Sequence, residues 1–203
     1  IIRITAKAST HSEAKKMIEV VEAQVKARVG EYIYAVDDEN MEEVVAKLLK
    51  DNCLTVACAE SCTGGMLASR LTSISGSSMY IKGSIVTYSN EAKMKFLDVD
   101  KEILDTKGAV SPEVAKQMAE GVRKAVGSDI GVGITGIAGP TGGTDKKPVG
   151  LVYIAVAGKD NTVVKENIFS GDRARVRYRS TQQALEMIRQ YIKNGLYFFN
   201  MKK

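Results

Sequence analysis

The stretch AESCTGG, residues 59–65, places reactive side chains beside two glycines at the end of an apolar run. The reactive side chains are Glu60, Ser61, Cys62 and Thr63, and the glycines are Gly64 and Gly65. One interpretation is structural: a strand-to-helix turn in which Ser or Thr caps the helix and the glycines ease the bend. The other is chemical: Ser61 is a nucleophile at a helix N-terminus, where N–H groups of residues 63–65 stabilise an oxyanion. The local sequence leaves both open.

The base that would activate Ser61 is not a histidine, because the single histidine of the chain is His11, near its start. Lys93 is the candidate, since it stands in the first turn of a predicted helix, five residues after Tyr88 at a predicted strand end. A lysine partly desolvated near a helix N-terminus has its pKa lowered from ~10.4 toward the range of a general base. If both strands belong to one parallel sheet, Ser61 and Lys93 form a serine–lysine pair at its carboxyl edge. Taken alone, Lys93 is interpreted as a solvated surface charge.

A second candidate region is the glycine-rich loop TGIAGPTGGT, residues 135–144, which follows a predicted strand. Its backbone N–H groups and threonine hydroxyls suit a phosphate or a carboxylate, and the alternative is a mobile surface loop. The residues assigned to a bound anion are Thr135, Gly136, Gly139 and Gly142. Arg173 and Arg175 open the last predicted helix, where a guanidinium can bind such an anion bidentately. Arg177 and Arg179 are interpreted as ordinary helix-surface residues.

Two dinucleotide-enzyme interpretations are disfavoured. GVGITG, residues 131–136, matches the pattern G-x-G-x-x-G, but that fingerprint needs a helix directly after the glycines. Here the glycines lie inside an apolar strand, and Gly139-Pro140 follows, so no helix can begin there. Tyr88 and Lys93 resemble the tyrosine–lysine pair of short-chain dehydrogenases, but that pair is spaced four residues apart on a helix.

The composition is that of an ordinary globular protein: 203 residues, 44% apolar, 26% charged and a net charge of +5. The spread of positive charge favours anionic ligands without indicating nucleic acid. No apolar run reaches the ~20 residues of a membrane span, and no signal-peptide core is present, so a cytoplasmic protein is expected. Cys53, Cys58 and Cys62 are expected to be buried reduced thiols, and no metal site is predicted.

Strands and helices alternate along most of the chain. Predicted strands cover about 54–60, 80–89, 130–138, 151–158 and 162–169, and predicted helices cover about 41–52, 64–74, 90–97, 112–126 and 174–193. A tight KDNT turn between the last two strands predicts an antiparallel hairpin. We therefore predict a three-layer α/β/α sandwich with a mixed, mostly parallel sheet.

The first residues predict a small partial α+β module. Residues 1–8 and 32–36 are predicted strands, and Ser12 is predicted to cap a helix that ends near Val29. With only two strands, this piece is interpreted as the tail of a module whose beginning is missing. The acidic turn at 37–40 is its predicted boundary.

Five motifs occur in order over about residues 41–193: AESCTGG, GSIVTYSNEAK, GAVSPEVAKQMAEG, GITGIAGPTGGT with KPVG, and FSGDR. Together they closely resemble the C-terminal domain of the competence/damage-inducible CinA family, which includes stand-alone nicotinamide-nucleotide amidohydrolases. Residues 1–36 resemble the latter part of the KH-like linker domain of long CinA proteins. The expected domains are thus a partial KH-like linker module, 1–38, and a CinA C-terminal amidohydrolase domain, 39–203.

The resemblance implies hydrolysis of nicotinamide mononucleotide to nicotinate mononucleotide and ammonia, without a metal or other cofactor. It implies that Ser61 is the nucleophile, Lys93 the base and Tyr88 its partner or a substrate-orienting group. Thr135, the glycine loop and Arg173 would hold the nucleotide substrate. A homodimer or larger homo-oligomer is implied as well.

The alternative function is a catalytically silent nucleotide-binding or assembly module. Binding of nucleic acid by the KH-like tail is not expected, because no GXXG loop occurs in residues 1–40. Neither a membrane nor a nucleic acid is therefore an expected partner.

Overall fold

The computed structural model describes residues 1–200, without the side chains of residue 194 and of residues 196–200. The chain divides into two units, Ile1–Asn40 and a second that begins at Met41. In the first unit, helix α1 spans His11–Val29, and a 3-10 helix spans Gly30–Tyr32. The cap of α1 is Thr10 rather than the predicted Ser12, because Thr10 and Glu13 exchange side-chain and backbone hydrogen bonds as a capping box.

The strands predicted at 1–8 and 32–36 are absent from the first unit, so both predictions are wrong. A strand needs a neighbour that accepts and donates its backbone hydrogen bonds, and residues 1–40 contain no strand at all. The alternation of apolar and polar residues therefore does not suffice to form a strand here.

Among the described residues, the second unit contains five strands, six α-helices and one 3-10 helix, Ser77–Met79. The strands are β1 Val56–Glu60, β2 Ile81–Val86, β3 Ile130–Gly136, β4 Leu151–Ala157 and β5 Thr162–Ile168. The helices are α2 Met41–Asp51, α3 Met66–Thr72, α4 Asn90–Leu97, α5 Lys101–Lys107, α6 Pro112–Val126 and α7 Arg173–Asn200. Within the described residues, no helix is long and apolar enough to cross a bilayer.

The strands form one mixed sheet in the order β2-β1-β3-β4-β5. β1 is parallel to both β2 and β3, whereas β4 is antiparallel to β3 and β5. Helices α2, α3 and α7 cover one face of the sheet, and α4, α5 and α6 cover the other. The predicted three-layer α/β/α sandwich and the predicted β4–β5 hairpin are confirmed.

Two helices on the second face illustrate what a local sequence pattern can and cannot predict. The predicted start of α6 is confirmed, since the Ser111 hydroxyl accepts a hydrogen bond from Val114 N–H and Pro112 follows the cap. The sequence does not predict α5, because its segment is rich in turn residues. Asp100 caps this helix, and Leu104 anchors it in the core.

The cysteines differ from one another in exposure. Cys58 and Cys62 are buried free thiols, as predicted, but Cys53 is exposed. Cys53 occupies a left-handed turn position (φ +53°) just before β1, where the chain passes along the surface.

The glycines of GVGITG allow α6 to approach β3 closely. A Cβ atom on Gly133 would lie 2.3 Å from the Ala115 carbonyl oxygen and 2.7 Å from the Ala119 nitrogen. No helix follows β3; the chain continues as a loop into the antiparallel strand β4. The glycine pattern therefore serves packing between helix and sheet.

We expect Gly133→Ala to lower the free energy of unfolding by at least about 2 kcal/mol, because the methyl group must displace helix backbone. Gly195→Ala is the matched control, since Gly195 is exposed in α7 and a Cβ atom there would meet nothing within 4 Å. That control should gain about 0.5–1 kcal/mol of stability from helix propensity. Urea denaturation measures both, and a Gly133→Ala protein as stable as wild type would contradict the packing argument.

Candidate active site

Parallel strands β1 and β2 bring Ser61 and Thr87 to the same edge of the sheet. Ser61 follows β1 directly, and its N–H donates to the Ile134 carbonyl oxygen at 3.1 Å. On the other side, Thr87 N–H donates to the Glu60 carbonyl oxygen at 2.8 Å. Both neighbouring strands thus fix the backbone around Ser61.

Helix α4 then returns Lys93 to this edge. The Ser89 hydroxyl caps the helix by accepting a hydrogen bond from Ala92 N–H at 3.1 Å. Lys93 is 1% exposed, and its Nζ donates to the Thr87 carbonyl oxygen at 2.8 Å. The same Nζ lies 3.3 Å from Ser61 Oγ, within hydrogen-bond distance. The structure therefore brings Ser61 and Lys93 together.

The surroundings of Lys93 favour its neutral form. Burial lowers the pKa of the Lys93 amine below its ordinary value, and the neighbouring Cys62 acts in the opposite direction. A lysine with a lowered pKa has a larger neutral fraction at a given pH, and only a neutral amine has a lone pair for a proton. The Cys62 thiol, in contrast, has its pKa raised to about 11, chiefly by burial, with the Glu60 carboxylate adding to it. Cys62 is thus protonated near neutral pH.

Glu60 has a role that the sequence does not reveal. Its side chain is fully buried, and one carboxylate oxygen accepts hydrogen bonds from the N–H groups of Gly65 (3.0 Å) and Leu67 (3.1 Å). The other oxygen accepts from Ala68 N–H at 2.9 Å. An upstream carboxylate, and not a serine or threonine, therefore caps α3.

This arrangement corrects the expected oxyanion donors. Gly64 and Gly65 adopt left-handed conformations (φ +60° and +90°), as the sharp turn requires. Their N–H groups are already used, by the Ser61 carbonyl oxygen at 3.1 Å and by Glu60. Among the described residues, the N–H groups of Cys62 and Thr63 donate to no other residue. The Thr63 hydroxyl is also buried without a partner there.

Arg173 connects two of the predicted site residues. Its guanidinium donates to the Gly139 carbonyl oxygen at 2.9 Å and to the Tyr88 hydroxyl at 2.8 Å. Tyr88 is 62% exposed, and Arg173 is exposed as well. The hydroxyl of Tyr88 thus contacts Arg173 and not Lys93.

Thr135, Gly136 and Gly142 make other contacts or lie in the exposed loop. The Thr135 hydroxyl is buried and donates to the Ala109 carbonyl oxygen at 2.7 Å, so it is not a free donor for a nucleotide. Gly136 lies against β4, since a Cβ atom there would be 2.6 Å from the Leu151 carbonyl oxygen. Gly142 is exposed in the loop with φ +89°.

The interpretation of Arg177 as an ordinary surface residue is wrong. Its Nη2 and Nε donate to the Thr63 carbonyl oxygen at 2.7 and 3.3 Å, next to the turn that carries Ser61. The signal in the sequence is the spacing of four residues from Arg173, which places both guanidinium groups on one helix face. Arg179, in contrast, contacts only Ser170, through its carbonyl and hydroxyl oxygens.

No group of three or more His, Cys, Asp or Glu side chains that could hold a metal ion occurs in the part of the chain that the structure describes. The fold and the site together define a class: α/β/α domains that carry a serine beside a buried lysine where parallel strands end. The particular family follows from comparison with known proteins. Residues 38–192 match the family described as CinA C-terminal domain, and residues 1–35 match the damage-inducible protein CinA KH domain. The chain belongs to the CinA family, as its motifs predicted.

Relatives and solved structures agree with this assignment. A competence-damage inducible protein of Thermoanaerobacter sp. (strain X514) is 52% identical over 192 residues, which are 95% of this chain and 46% of that protein. The chain spans about half the length of the curated relatives it matches. The crystal structure of competence/damage inducible protein CihA from Agrobacterium tumefaciens is 40% identical, with a TM-score of 0.71 over 76% of this chain and 96% of that one. A CinA superfamily protein from Klebsiella pneumoniae is 31% identical, with a TM-score of 0.73 over 77% and 99%.

The lowered pKa of Lys93 predicts a pH-dependent stability. Between that pKa and the ordinary ~10.4, the unfolded chain binds more protons than the folded one, so stability rises with pH by up to ~1.4 kcal/mol per unit. Lys93→Met removes this contribution, whereas Lys95→Met, at an exposed position of the same helix, should not. Urea denaturation from pH 7 to about 10 compares each variant with wild type. As pH rises, we expect the free energy of unfolding of wild type to increase relative to that of Lys93→Met. A difference between the two that does not change with pH would contradict the buried-amine assignment.

Proposed function

We propose that this protein is an amidohydrolase that converts nicotinamide mononucleotide to nicotinate mononucleotide and ammonia. The observation that carries the proposal is the 3.3 Å distance between Ser61 Oγ and the buried Lys93 Nζ. A serine beside a buried amine is one established way to activate a hydroxyl without histidine. The only histidine, His11, belongs to the first unit.

The chemistry follows from the contacts at this edge. Neutral Lys93 takes the Ser61 proton while Oγ attacks the carboxamide carbon, and the carbonyl π electrons move onto oxygen. The N–H groups of Cys62 and Thr63, which donate to no other residue in the part of the chain that the structure describes, receive that oxyanion. When the tetrahedral intermediate collapses, the carbon–nitrogen bond breaks, and the Lys93 ammonium gives its proton to the leaving nitrogen, which departs as ammonia. Water then hydrolyses the acyl-enzyme, with Lys93 as the base again.

The substrate phosphate is assigned to the region of Arg173. Its guanidinium is exposed and lies between the Gly139 carbonyl oxygen and the Tyr88 hydroxyl. A guanidinium there can donate to phosphate oxygens, and Tyr88 can orient the nucleotide beside it. The N-terminus of α3 is not the phosphate site in this proposal, because Glu60 already accepts its N–H groups. Assembly as a homodimer or larger homo-oligomer stays a prediction.

Ammonia release from nicotinamide mononucleotide tests the function and the nucleophile together. We expect Ser61→Ala to lower kcat at least about 10⁴-fold, because no covalent intermediate can form. Cys62→Ala is the control. The Cys62 thiol is protonated near neutral pH and has no role in the proposed reaction, so kcat should stay within about threefold of wild type. An inactive wild-type protein that still binds the nucleotide would instead favour a silent nucleotide-binding module. Near-normal turnover by Ser61→Ala would remove the nucleophile assignment.

A further inference from the structure

Consecutive peptide groups connect Arg177 with the residue that follows Ser61. Arg177 donates to the Thr63 carbonyl oxygen, at 2.7 Å from Nη2. The N–H of the same peptide group belongs to Gly64, and it donates to the Ser61 carbonyl oxygen at 3.1 Å. The Ser61 carbonyl group and the Cys62 N–H belong to one peptide group. The chain of hydrogen bonds thus runs from a guanidinium through two peptide groups to the Cys62 N–H.

The Cys62 N–H is the last donor in this series of hydrogen bonds. Among the described residues, the Cys62 N–H donates to no other residue, and its one contact is with the thiol of its own side chain. Cys62 is almost completely buried. Sulfur is a weak acceptor, so this buried N–H group stays available for a stronger one, such as an oxyanion. The residue after a nucleophilic serine commonly supplies an oxyanion donor at a strand-to-helix turn. The Cys62 N–H therefore lies where negative charge develops during attack by Ser61.

The Arg177 guanidinium affects the Cys62 N–H in two ways. Hydrogen bonds in a series polarise one another, and a cation at the acceptor end of a peptide makes its N–H a stronger donor. The same bonds also fix the orientation of both peptide planes. Gly64 and Gly65 make the turn sharp, and Glu60 holds its other side through the N–H groups of Gly65 and Leu67.

We propose that Arg177 is a positioning residue that, through these two peptide groups, orients and polarises the Cys62 N–H as the main oxyanion donor. This inference rests on the proposed function. Arg177 acts through the turn and not on the substrate, since its Nε and Nη2 both donate to the Thr63 carbonyl oxygen. Arg173, four residues earlier, is the guanidinium assigned to the substrate. The two arginines should therefore affect different kinetic constants.

Variants that separate charge from hydrogen bonding test this role. Arg177→Gln keeps an amide donor but removes the charge, and it should lower kcat at least about tenfold, while KM for nicotinamide mononucleotide changes less than about threefold. Arg177→Lys keeps a cationic donor and should retain kcat within about threefold of wild type. Arg179→Gln, which removes a guanidinium that contacts only Ser170, should match wild type. Equal kcat values for the Gln and Lys variants at position 177, or an effect on KM alone, would overturn the proposal.

A fluorophosphonate probe gives a readout that does not depend on the amide substrate. Ser61 Oγ bonds to phosphorus, fluoride leaves, the serine proton goes to Lys93, and the phosphoryl oxygen occupies the oxyanion position. We expect slower labelling of Ser61 in Arg177→Gln than in wild type or Arg179→Gln. Labelling without ammonia release would reject the proposed substrate and leave the role of Arg177 standing. Equal rates in wild type and Arg177→Gln, or no labelling of wild type, would overturn it.

Discussion

The candidate site depends on one buried amine. Lys93 Nζ lies in the protein interior, donates to the Thr87 carbonyl oxygen at 2.8 Å, and is 3.3 Å from Ser61 Oγ. A buried ammonium is costly, so this position shifts the amine toward the neutral form that can accept a proton, and the pKa of Lys93 is lowered. The parallel pairing of β1 with β2 makes the contact possible, because both strands end at one edge and α4 begins just beyond it. The packing of these strands and of α4 thus lowers the pKa of the Lys93 amine.

The turn after β1 is held from two sides by side chains of opposite charge. Glu60 accepts backbone N–H groups at the start of α3, and Arg177 from the last helix donates to the Thr63 carbonyl oxygen. Each contact satisfies backbone groups that a sharp turn would otherwise leave unpaired. In the described part of the chain, the N–H groups of Cys62 and Thr63, directly after Ser61, donate to no other residue. The turn is therefore fixed by hydrogen bonds on both sides of Ser61, and in the proposed function these two N–H groups would receive the oxyanion.

Sequence reasoning is most successful where local patterns and strand ends coincide. The pairing of Ser61 with Lys93 is predictable, because both residues follow predicted strand ends and carboxyl ends of parallel strands share an edge. The roles of Thr135 and Arg177 are not, since a hydroxyl or guanidinium gives no sign of which distant carbonyl oxygen it meets, here those of Ala109 and Thr63. The failed strands at 1–8 and 32–36 have a related cause: a strand depends on a partner that its own sequence does not specify.

The pH dependence of kcat/KM, measured together with Lys93→Arg, tests the account most directly. If neutral Lys93 is the base, kcat/KM of wild type rises with pH through an apparent pKa below that of free lysine. Lys93→Arg should then be nearly inactive, because a guanidinium stays protonated at every working pH. Lys95→Arg, at an exposed position of the same helix, should keep the wild-type profile. Substantial activity in Lys93→Arg, or a rise in kcat/KM at the acidic pH typical of a carboxylate, would contradict the account.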